Sequence, residues 1–490
     1  MKDGPQNAPS RRTFLRRAAG TVGLALVPGS LAGLVSACTG PRAATAPTSG
    51  ARALPAAAAG EGGYGPVIED GGPLAVPDGF RYRAMGAIGD PMTGGRPTPV
   101  AHDGMAAFRH PSEDDLIRLV RNHEVRTGPS VALGGKPYDP LGPGGCVTLE
   151  VDAARRLVRD FVSLSGTAVN CAGGPTPWGT WLSCEETVDG TQEGFSKPHG
   201  YVFEVPSAED GEAEPLPIKA MGRFSHEAVA VDPDTGMVYL TEDNGYTEGM
   251  IARPGSGLYR YVPDDRSGAY GSLQKGGRLQ MLAIDGEPRI QLFRGGSIGD
   301  TYDVRWVDIP HPDGSAESDA REARMTAVFY QGWNAGAAAF SRLEGCWYGE
   351  GSIFFNDTSG GAVLRGQVWQ YHPESNKLIL VFESPGLEVL DAPDNLCVSP
   401  RGGLVLCEDG QQVQHVRGLT TDGKIFDIAR NTLLLPDGGL STSEFAGACF
   451  SPDGETLFVN IQGATAGTTE EKKGLGMTLA IWGPWSTGAV

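Results

Sequence analysis

The fold of this 490-residue chain is indicated most clearly by Asn170-Cys-Ala-Gly-Gly-Pro-Thr-Pro-Trp-Gly-Thr-Trp-Leu-Ser-Cys-Glu-Glu186. It consists of a short apolar segment, a turn that contains Pro177, and a second apolar segment that ends in Glu185 and Glu186. Two such segments around a Pro/Gly turn predict an antiparallel hairpin. The hairpin brings the beginning of its first strand beside the end of its second, so we expect Cys171 to lie next to the acidic pair.

The same layout returns along the chain. Five further copies have a leading acidic residue, a strand, a turn and a second strand with an acidic or amide end; they begin at Asp103, Glu227, Glu344, Asp394 and Glu444. The copies follow one another at steps of 52 to 61 residues, with one double step of 114. Short strands with Gly-rich turns at this period predict a β-propeller. We expect an all-β propeller of six blades, or seven if the double step contains a further blade, with insertions and minor helices.

The composition agrees with that fold and excludes other classes. The 72 Gly and 36 Pro residues are too many for a helical bundle but suit the turns of a many-stranded ring. Asp and Glu number 59 against 40 Lys and Arg, which gives a formal net charge of −19. We expect no nucleic-acid partner, because phosphate backbones are bound through basic surfaces. The acidic surplus is either spread over the surface or gathered where cations bind.

The N-terminal sequence indicates export. Arg11 and Arg12 precede an apolar, uncharged stretch that Gly and Pro interrupt, which is typical of a twin-arginine signal peptide rather than a membrane span. The sequence Val35-Ser-Ala-Cys38 resembles a lipobox, in which Cys38 would be acylated; the alternative is a plain signal peptide that is cut nearby. We predict a signal peptide over 1–37, a flexible linker over 38–68 and the propeller over 69–490. The predicted location is the cell surface, the periplasm or the exterior, with membrane attachment through a lipidated Cys38.

The acidic pairs at equivalent strand ends are candidate metal ligands. Carboxylates packed around one mouth of a channel repel one another unless multivalent cations compensate them. Their oxygens suit Ca²⁺, whereas a thiolate suits a softer transition metal, so a mixed site is predicted. The alternative is that the acidic pairs only cap exposed strand ends. The predicted ligands are Glu124, Cys171, Glu185, Glu186, Glu227, Glu242, Asp243, Glu344, Asp394, Glu408, Asp409 and Glu444.

Three histidines lie close to these ligands in sequence. His226 directly precedes Glu227 and could bind iron or hydrogen-bond the backbone. Neighbouring side chains of a strand face opposite sides, which favours the backbone role. His102 and His123 have the same two alternatives.

Four motifs resemble the PhoX family of bacterial alkaline phosphatases over about residues 70–485. They are Asn170-Cys-Ala-Gly-Gly174, Trp181-Leu-Ser-Cys-Glu-Glu186, Phe224-Ser-His-Glu227 and Arg342-Leu-Glu344. The resemblance implies an exported phosphomonoesterase on a six-bladed propeller, with iron and calcium at one end of the channel. It further implies that Cys171 binds iron, that acidic residues of the repeat complete the ligand set, and that Arg342 holds the phosphate.

The chemistry of phosphate esters is consistent with this interpretation. Clustered cations neutralise the phosphoryl oxygens, and the Arg342 guanidinium can form a two-pronged hydrogen bond to them; its alternative role is a salt bridge to Glu344. Arg223 and Asn356 are further candidates for substrate binding. We expect a monomer that acts on small phosphate esters.

Two other functions remain open at this point. One is a metal-dependent propeller hydrolase of a phosphodiester, a phosphotriester or a lactone, whose single calcium centre would not need Cys171. The other is a non-enzymatic propeller lipoprotein that binds a partner.

Overall fold

Six antiparallel hairpins form the inner part of the described structure, and they coincide with the six copies of the sequence repeat. The computed structural model describes residues 63–126, 134–246, 255–314, 320–463 and 474–490. The hairpins are β4 (His102–Arg109) with β5 (Leu116–His123), β8 (Asn170–Pro175) with β9 (Thr180–Glu185), β11 (His226–Val231) with β12 (Val238–Glu242), β16 (Leu343–Gly349) with β17 (Ser352–Asp357), β20 (Pro393–Val398) with β21 (Leu404–Glu408), and β24 (Phe445–Phe450) with β25 (Leu457–Ile461).

Further strands extend each hairpin outward into a sheet. They are β6 (Gly144–Asp152), β7 (Leu157–Thr167), β10 (Val202–Pro206), β13 (Leu258–Pro263), β14 (Gly277–Ile284), β15 (Thr301–Asp308), β18 (Gln367–His372), β19 (Lys377–Glu383), β22 (His415–Leu419), β23 (Ile425–Asn431) and β26 (Met477–Trp482). Strands β15 and β19 pair at their outer edges and join two sheets into one of nine strands.

The earliest described strands complete the last two sheets. They are β1 (Val67–Glu69), β2 (Leu74–Pro77) and β3 (Arg81–Met85). Strand β2 pairs with β23, and β3 pairs with β26 over five residue pairs from Thr478↔Met85 to Trp482↔Arg81. The chain therefore fastens its ring by pairing an early strand with a late one.

The first strands of the six hairpins contact one another in a closed order. Strand β4 lies beside β8, and β11, β16, β20 and β24 follow in turn until β24 meets β4 again. The prediction of an all-β, propeller-like ring of sheets is confirmed, while the number of blades stays a prediction. Helical structure in the described residues is minor: α1 (Arg321–Asn334) and 3₁₀ turns at Lys219–Met221, Ser272–Lys275, Leu292–Arg294 and Trp485–Thr487.

The interfaces between sheets form the hydrophobic core. The inner strands are buried on both faces because each lies between two other sheets. Val229, Leu240, Phe355 and Val459, for example, are fully buried. The described cysteines are all buried and form no disulfide bonds among themselves. Most of them therefore act as small apolar side chains.

The predicted signal peptide, the proposed acylation site Cys38 and residues 38–62 of the predicted linker lie outside the described residues. Among the helices that the structure describes, none combines the length and apolarity needed to cross a bilayer.

Candidate metal centre

A β-bulge interrupts the first strand of every inner hairpin near its beginning. The register shifts occur between His102/Met105, Asn170/Gly173, His226/Val229, Leu343/Cys346, Pro393/Leu396 and Ala446/Cys449. In five hairpins the leading residue of the repeat lies inside this bulge, namely Asp103, Cys171, Glu227, Glu344 and Asp394. A bulge re-aims side chains and removes backbone groups from the regular ladder. These five side chains are thus freed from strict strand alternation.

The residue two positions before the leading residue of the repeat has a left-handed backbone in four hairpins. The φ angles are 54° at Ala101, 54° at Val169, 60° at Arg342 and 55° at Ala392. Non-glycine residues in this region cost about 1–3 kcal/mol and are retained where the surrounding structure imposes them. In each case the carbonyl of this residue accepts a hydrogen bond from the residue that follows the second strand.

Glu444 occupies this same entry position and not the bulge position that the repeat alignment predicts. Its carbonyl accepts the Gln462 N–H, just as the Arg342 carbonyl accepts the Thr358 N–H. By this hydrogen bond Ala446, two residues after Glu444, corresponds to Glu344, so the repeat alignment is displaced by two residues in the sixth hairpin. Glu444 is therefore the structural counterpart of Arg342.

Nine side chains form four overlapping groups of candidate metal ligands. Within each group the ligand atoms all lie within 4.8 Å of one another. The groups are Asp103, Glu124 and Cys171; Cys171, Glu186 and Glu227; Glu227, Glu344 and Asp394; and Asp394, Asp409 and Glu444. Consecutive groups share a member, so they form one continuous ligand cluster to which all six hairpins contribute.

The cluster is largely buried, and several of its members repel one another. Burial raises the pKa of Glu227 well above its ordinary value, and the carboxylates of Glu344 and Asp394 raise it further. Burial likewise raises the pKa of the Cys171 thiol, with additional repulsion from Asp103 and Glu227. The pKa of Asp103 is raised by burial and by Glu124. All three groups need either protons or cations.

The donor set fits metal ions. The Cys171 thiol interacts with Glu227, but no hydrogen bond of good geometry reaches either fully buried Glu227 carboxylate oxygen. Buried acceptors of this kind are costly unless they are paired or bind a metal. Eight carboxylates and one thiol are suited to hard cations, together with one metal that accepts a sulfur ligand.

Two arginines contact the ligand cluster. The Arg342 Nη2 binds the Glu344 carboxylate, and its Nε lies 3.4 Å from Asp243 Oδ1. The Arg126 Nη2 lies 2.5 Å from both Glu124 Oε1 and Glu186 Oε2. Both guanidinium side chains remain accessible, at 20% exposure for Arg342 and 42% for Arg126.

Three predicted ligands point away from the cluster. Each is the first acid of its pair, and adjacent residues of a strand face opposite sides. Glu185 accepts hydrogen bonds from the Ala168 and Gly200 N–H groups at 2.9 and 2.7 Å. Glu242 accepts from Gly257 N–H at 3.0 Å and from the Tyr259 hydroxyl at 2.8 Å.

Glu408 repeats this arrangement in the fifth hairpin. It accepts hydrogen bonds from the Asp391 N–H at 3.0 Å and from Arg417 Nε at 2.8 Å. Its neighbour Asp409 joins the ligand cluster, as Glu186 does beside Glu185. Asp243 follows Glu242 and pairs with Arg342. The first acid of each pair holds its own sheet together, while the second faces the centre.

Other predicted residues have structural partners. Arg223 is buried and donates to the carbonyls of His199 at 2.7 Å and Val188 at 2.9 Å. Asn356 Nδ2 donates to the Asp394 carbonyl at 2.6 Å. The three histidines each lie within hydrogen-bond distance of a backbone carbonyl: His226 of Gly222, His102 of Pro99 and His123 of Val100.

Three contributors to the centre were not predicted. Asp103 is the first residue of the copy with the longest turn, and it is not among the predicted ligands. Arg126 lies two residues after Glu124, and its sequence context carries no signal. Gln462 follows β25 as Glu186 follows β9, and its Nε2 donates to Asp103 Oδ2 at 3.0 Å and Glu124 Oε2 at 2.8 Å. Proper alignment of the strand ends would have revealed Gln462.

A family model described as alkaline phosphatase PhoX matches residues 62–465. The chain belongs to this family. The PhoX assignment makes it a hydrolase of phosphoric monoesters, which agrees with the family resemblance of its motifs. A comparison with curated proteins finds no match.

Solved structures similar to this PhoX-family chain include Pseudomonas fluorescens PhoX in complex with vanadate, a transition state analogue. The TM-score is 0.63 at 19% identity, and the match covers 89% of this chain and 98% of that chain. This likeness shows the fold. A gluconolactonase from Xanthomonas campestris has a TM-score of 0.40 at 12% identity, with 86% of this chain and 99% of that chain covered.

Proposed function

We propose that this PhoX-family phosphatase hydrolyses small phosphate monoesters at a calcium and iron centre held by the nine-residue ligand cluster. The observation that supports the proposal is the continuity of the cluster, in which ligand groups overlap through Cys171, Glu227 and Asp394. Arg342 lies against this cluster with an accessible side chain.

The type of each ligand suggests where each metal binds. The groups around Asp394 contain only carboxylates, whose oxygens calcium prefers. The two groups that share Cys171 contain the one thiol, which favours iron over calcium. Bound cations supply electrostatic stabilisation of the charge on the phosphoryl oxygens.

The protein's own contribution to the reaction is orientation. Arg342 can present two parallel N–H donors to two phosphate oxygens, a geometry that lysine does not offer. Its left-handed backbone, φ 60°, and its contacts with Glu344 and Asp243 restrict the guanidinium. Arg126 can provide a second donor on the side of Glu124 and Glu186.

The charge balance of the cluster requires cations before substrate. Eight carboxylates would repel a phosphate ester, and two guanidinium groups cannot neutralise them. Cation binding therefore converts an acidic surface into one that accepts an anion. It also displaces protons from groups such as Glu227, whose pKa is raised by burial, so metal affinity increases with pH.

Elemental analysis combined with a phosphatase assay tests the proposal. We expect purified protein to contain calcium and iron and to hydrolyse p-nitrophenyl phosphate at alkaline pH. Removal of the metals by a chelator should abolish turnover, and readdition should restore it. Full turnover by protein verified as metal-free would refute the proposed centre without affecting the family assignment.

The same proposal places the enzyme outside the cytoplasm as a monomer. The proposed location rests on the twin arginine Arg11-Arg12 and on Cys38 in its lipobox-like sequence. Replacement of both arginines by lysine should retain the protein in the cytoplasm. Cys38→Ala should release the exported protein from membranes, as measured by fractionation; unchanged distribution of both variants would contradict this part of the proposal.

A further inference from the structure

The bulges of the inner strands leave backbone carbonyls that the sheet ladder does not use, and four of these carbonyls belong to metal-ligand residues. Each accepts a hydrogen bond from a side chain of the preceding hairpin in the ring. The four bonds are Asn460 Nδ2 to the Asp103 carbonyl at 2.6 Å, Asn122 Nδ2 to that of Cys171 at 3.1 Å, Thr241 Oγ1 to that of Glu344 at 2.5 Å, and Asn356 Nδ2 to that of Asp394 at 2.6 Å.

The four donors, which we call the latch residues, occupy the same position in their strands. Each is the penultimate residue of the second strand of a hairpin: Asn122 in β5, Thr241 in β12, Asn356 in β17 and Asn460 in β25. The corresponding residues of β9 and β21 are Cys184 and Cys407. A polar donor thus recurs at four of the six equivalent interfaces.

All four latch residues are fully buried. A buried carbonyl without a partner costs about 1–3 kcal/mol, so each latch bond replaces the ladder bond that the bulge removes. Two of the three latch amides are themselves held in place through their oxygens. Asn122 Oδ1 accepts from Trp181 Nε1 and Ser183 Oγ, both at 2.9 Å, and Asn460 Oδ1 accepts from Thr478 Oγ1 at 2.6 Å.

Thr241 serves two ligand strands at once. Its hydroxyl accepts a hydrogen bond at 2.9 Å from the N–H of Ala228, the residue that follows Glu227. The same hydroxyl donates to the Glu344 carbonyl. Glu227 and Glu344 belong to the same ligand group. One hydroxyl therefore fixes the spacing between two main chains that carry neighbouring ligands.

We propose that the latch residues are positioning residues of the metal centre. They bind neither metal nor substrate, but they hold the main chain of Asp103, Cys171, Glu344 and Asp394 from the adjacent sheet, so that closure of the ring sets the ligand geometry. The inference rests on the proposed metal-dependent function. Partners that orient metal ligands from outside typically change metal affinity by about 10- to 100-fold.

A matched pair of variants in one sheet tests the inference. Thr241→Val removes a latch hydroxyl in β12. Tyr261→Phe removes a hydroxyl in β13 that donates to the Leu273 carbonyl at 3.1 Å, and Leu273 is not a candidate metal ligand. Metal-loaded full-length proteins are incubated with increasing EGTA, and retained calcium is measured by elemental analysis. Circular dichroism and the thermal midpoint report folding.

We expect Thr241→Val to release calcium at about 10- to 100-fold lower chelator activity than the wild type, whereas Tyr261→Phe should release it as the wild type does. Thr241→Ser, which keeps the hydroxyl, should restore retention. If Thr241→Val does not fold, Asn356→Ala gives the second comparison.

The possible outcomes separate the inference from the proposed function. Calcium retention that is unchanged in folded Thr241→Val and Asn356→Ala, while the wild type holds calcium, overturns the latch alone. Equal losses in Thr241→Val and Tyr261→Phe also overturn it, because general destabilisation then explains both. A wild-type protein without calcium or iron refutes the proposed metal centre, and the latch inference with it.

Discussion

A substitution of Glu242 can distinguish a structural acid from a metal ligand, because its carboxylate is buried beside the cluster without belonging to it. Burial raises the pKa of Glu242 to about 8, against hydrogen bonds from Tyr259 and Gly257 that lower it and a repulsion from Asp243 that adds to it. The second oxygen, Oε1, has no hydrogen-bond partner. We predict that Glu242→Gln stabilises the protein at alkaline pH and leaves metal content unchanged.

The magnitude follows from proton linkage. A glutamate in the unfolded chain titrates near about 4.3, so between that pH and about 8 the unfolded state loses its proton while the folded state keeps it. The stabilisation by the protonated Glu242 carboxyl is fully present below about pH 4.3. It is lost as the pH rises to about 8. The gap corresponds to about 5 kcal/mol. Gln leaves an amide N–H group unpaired, at about 1–3 kcal/mol, so the net gain at pH 9 is about 2–4 kcal/mol.

Urea unfolding of both proteins at pH 5 and pH 9, followed by tryptophan fluorescence, measures this difference. At pH 5 the variant should be no more stable than the wild type, and at pH 9 it should be more stable. An advantage of the same size at both pH values would refute the titration argument. Loss of calcium in Glu242→Gln would instead identify Glu242 as a ligand.

Three further predictions concern the centre itself. Arg342→Ala should keep its metals and lose about 10²- to 10³-fold in kcat, whereas Arg223→Ala should lose stability but keep the kcat of its folded fraction; normal kinetics for Arg342→Ala would reassign that arginine. Arg126→Ala should raise KM for p-nitrophenyl phosphate more than it lowers kcat, and an unchanged KM would exclude a substrate contact. Cys171→Ala should lose iron and activity while Cys346→Ala retains both, and iron retained by Cys171→Ala would remove the thiolate from the ligand set.

The ring and its repeat could be predicted from the sequence because each hairpin is determined by a short, continuous segment of the chain. Strand, turn and acidic end recur at a regular period, and antiparallel pairing then brings Cys171 near Glu186. The family motifs added the reaction. These inferences depend on short segments whose spacing is visible in the chain.

The orientation of individual side chains could not be predicted in the same way. The bulges change the register after each leading residue, and a displacement of one residue exchanges the two faces of a strand. Glu185, Glu242 and Glu408 end the second strands, where no bulge lies. Strand alternation turns the two acids of each pair to opposite sides, but the sequence carries no signal for which of the two faces the centre.

Contacts between distant parts of the chain were also invisible. Arg126 meets Glu186 across 60 residues, and Gln462 meets Glu124 across 338. No local pattern encodes such contacts, because they arise only when the ring closes. The displacement of Glu444 has a different cause, because its counterpart, Arg342, is apparent only from equivalent backbone hydrogen bonds within each hairpin.

The pairing of β3 with β26 closes a ring whose every hairpin supplies at least one side chain to the ligand cluster. Cations bound at this cluster would connect all six inner hairpins, so their binding energy would oppose the opening of any one sheet. Because bound metal stabilises only the states that retain its ligands, loading would convert local opening of separate sheets into a single cooperative transition. Hydrogen exchange should then slow around the whole circumference rather than near one ligand.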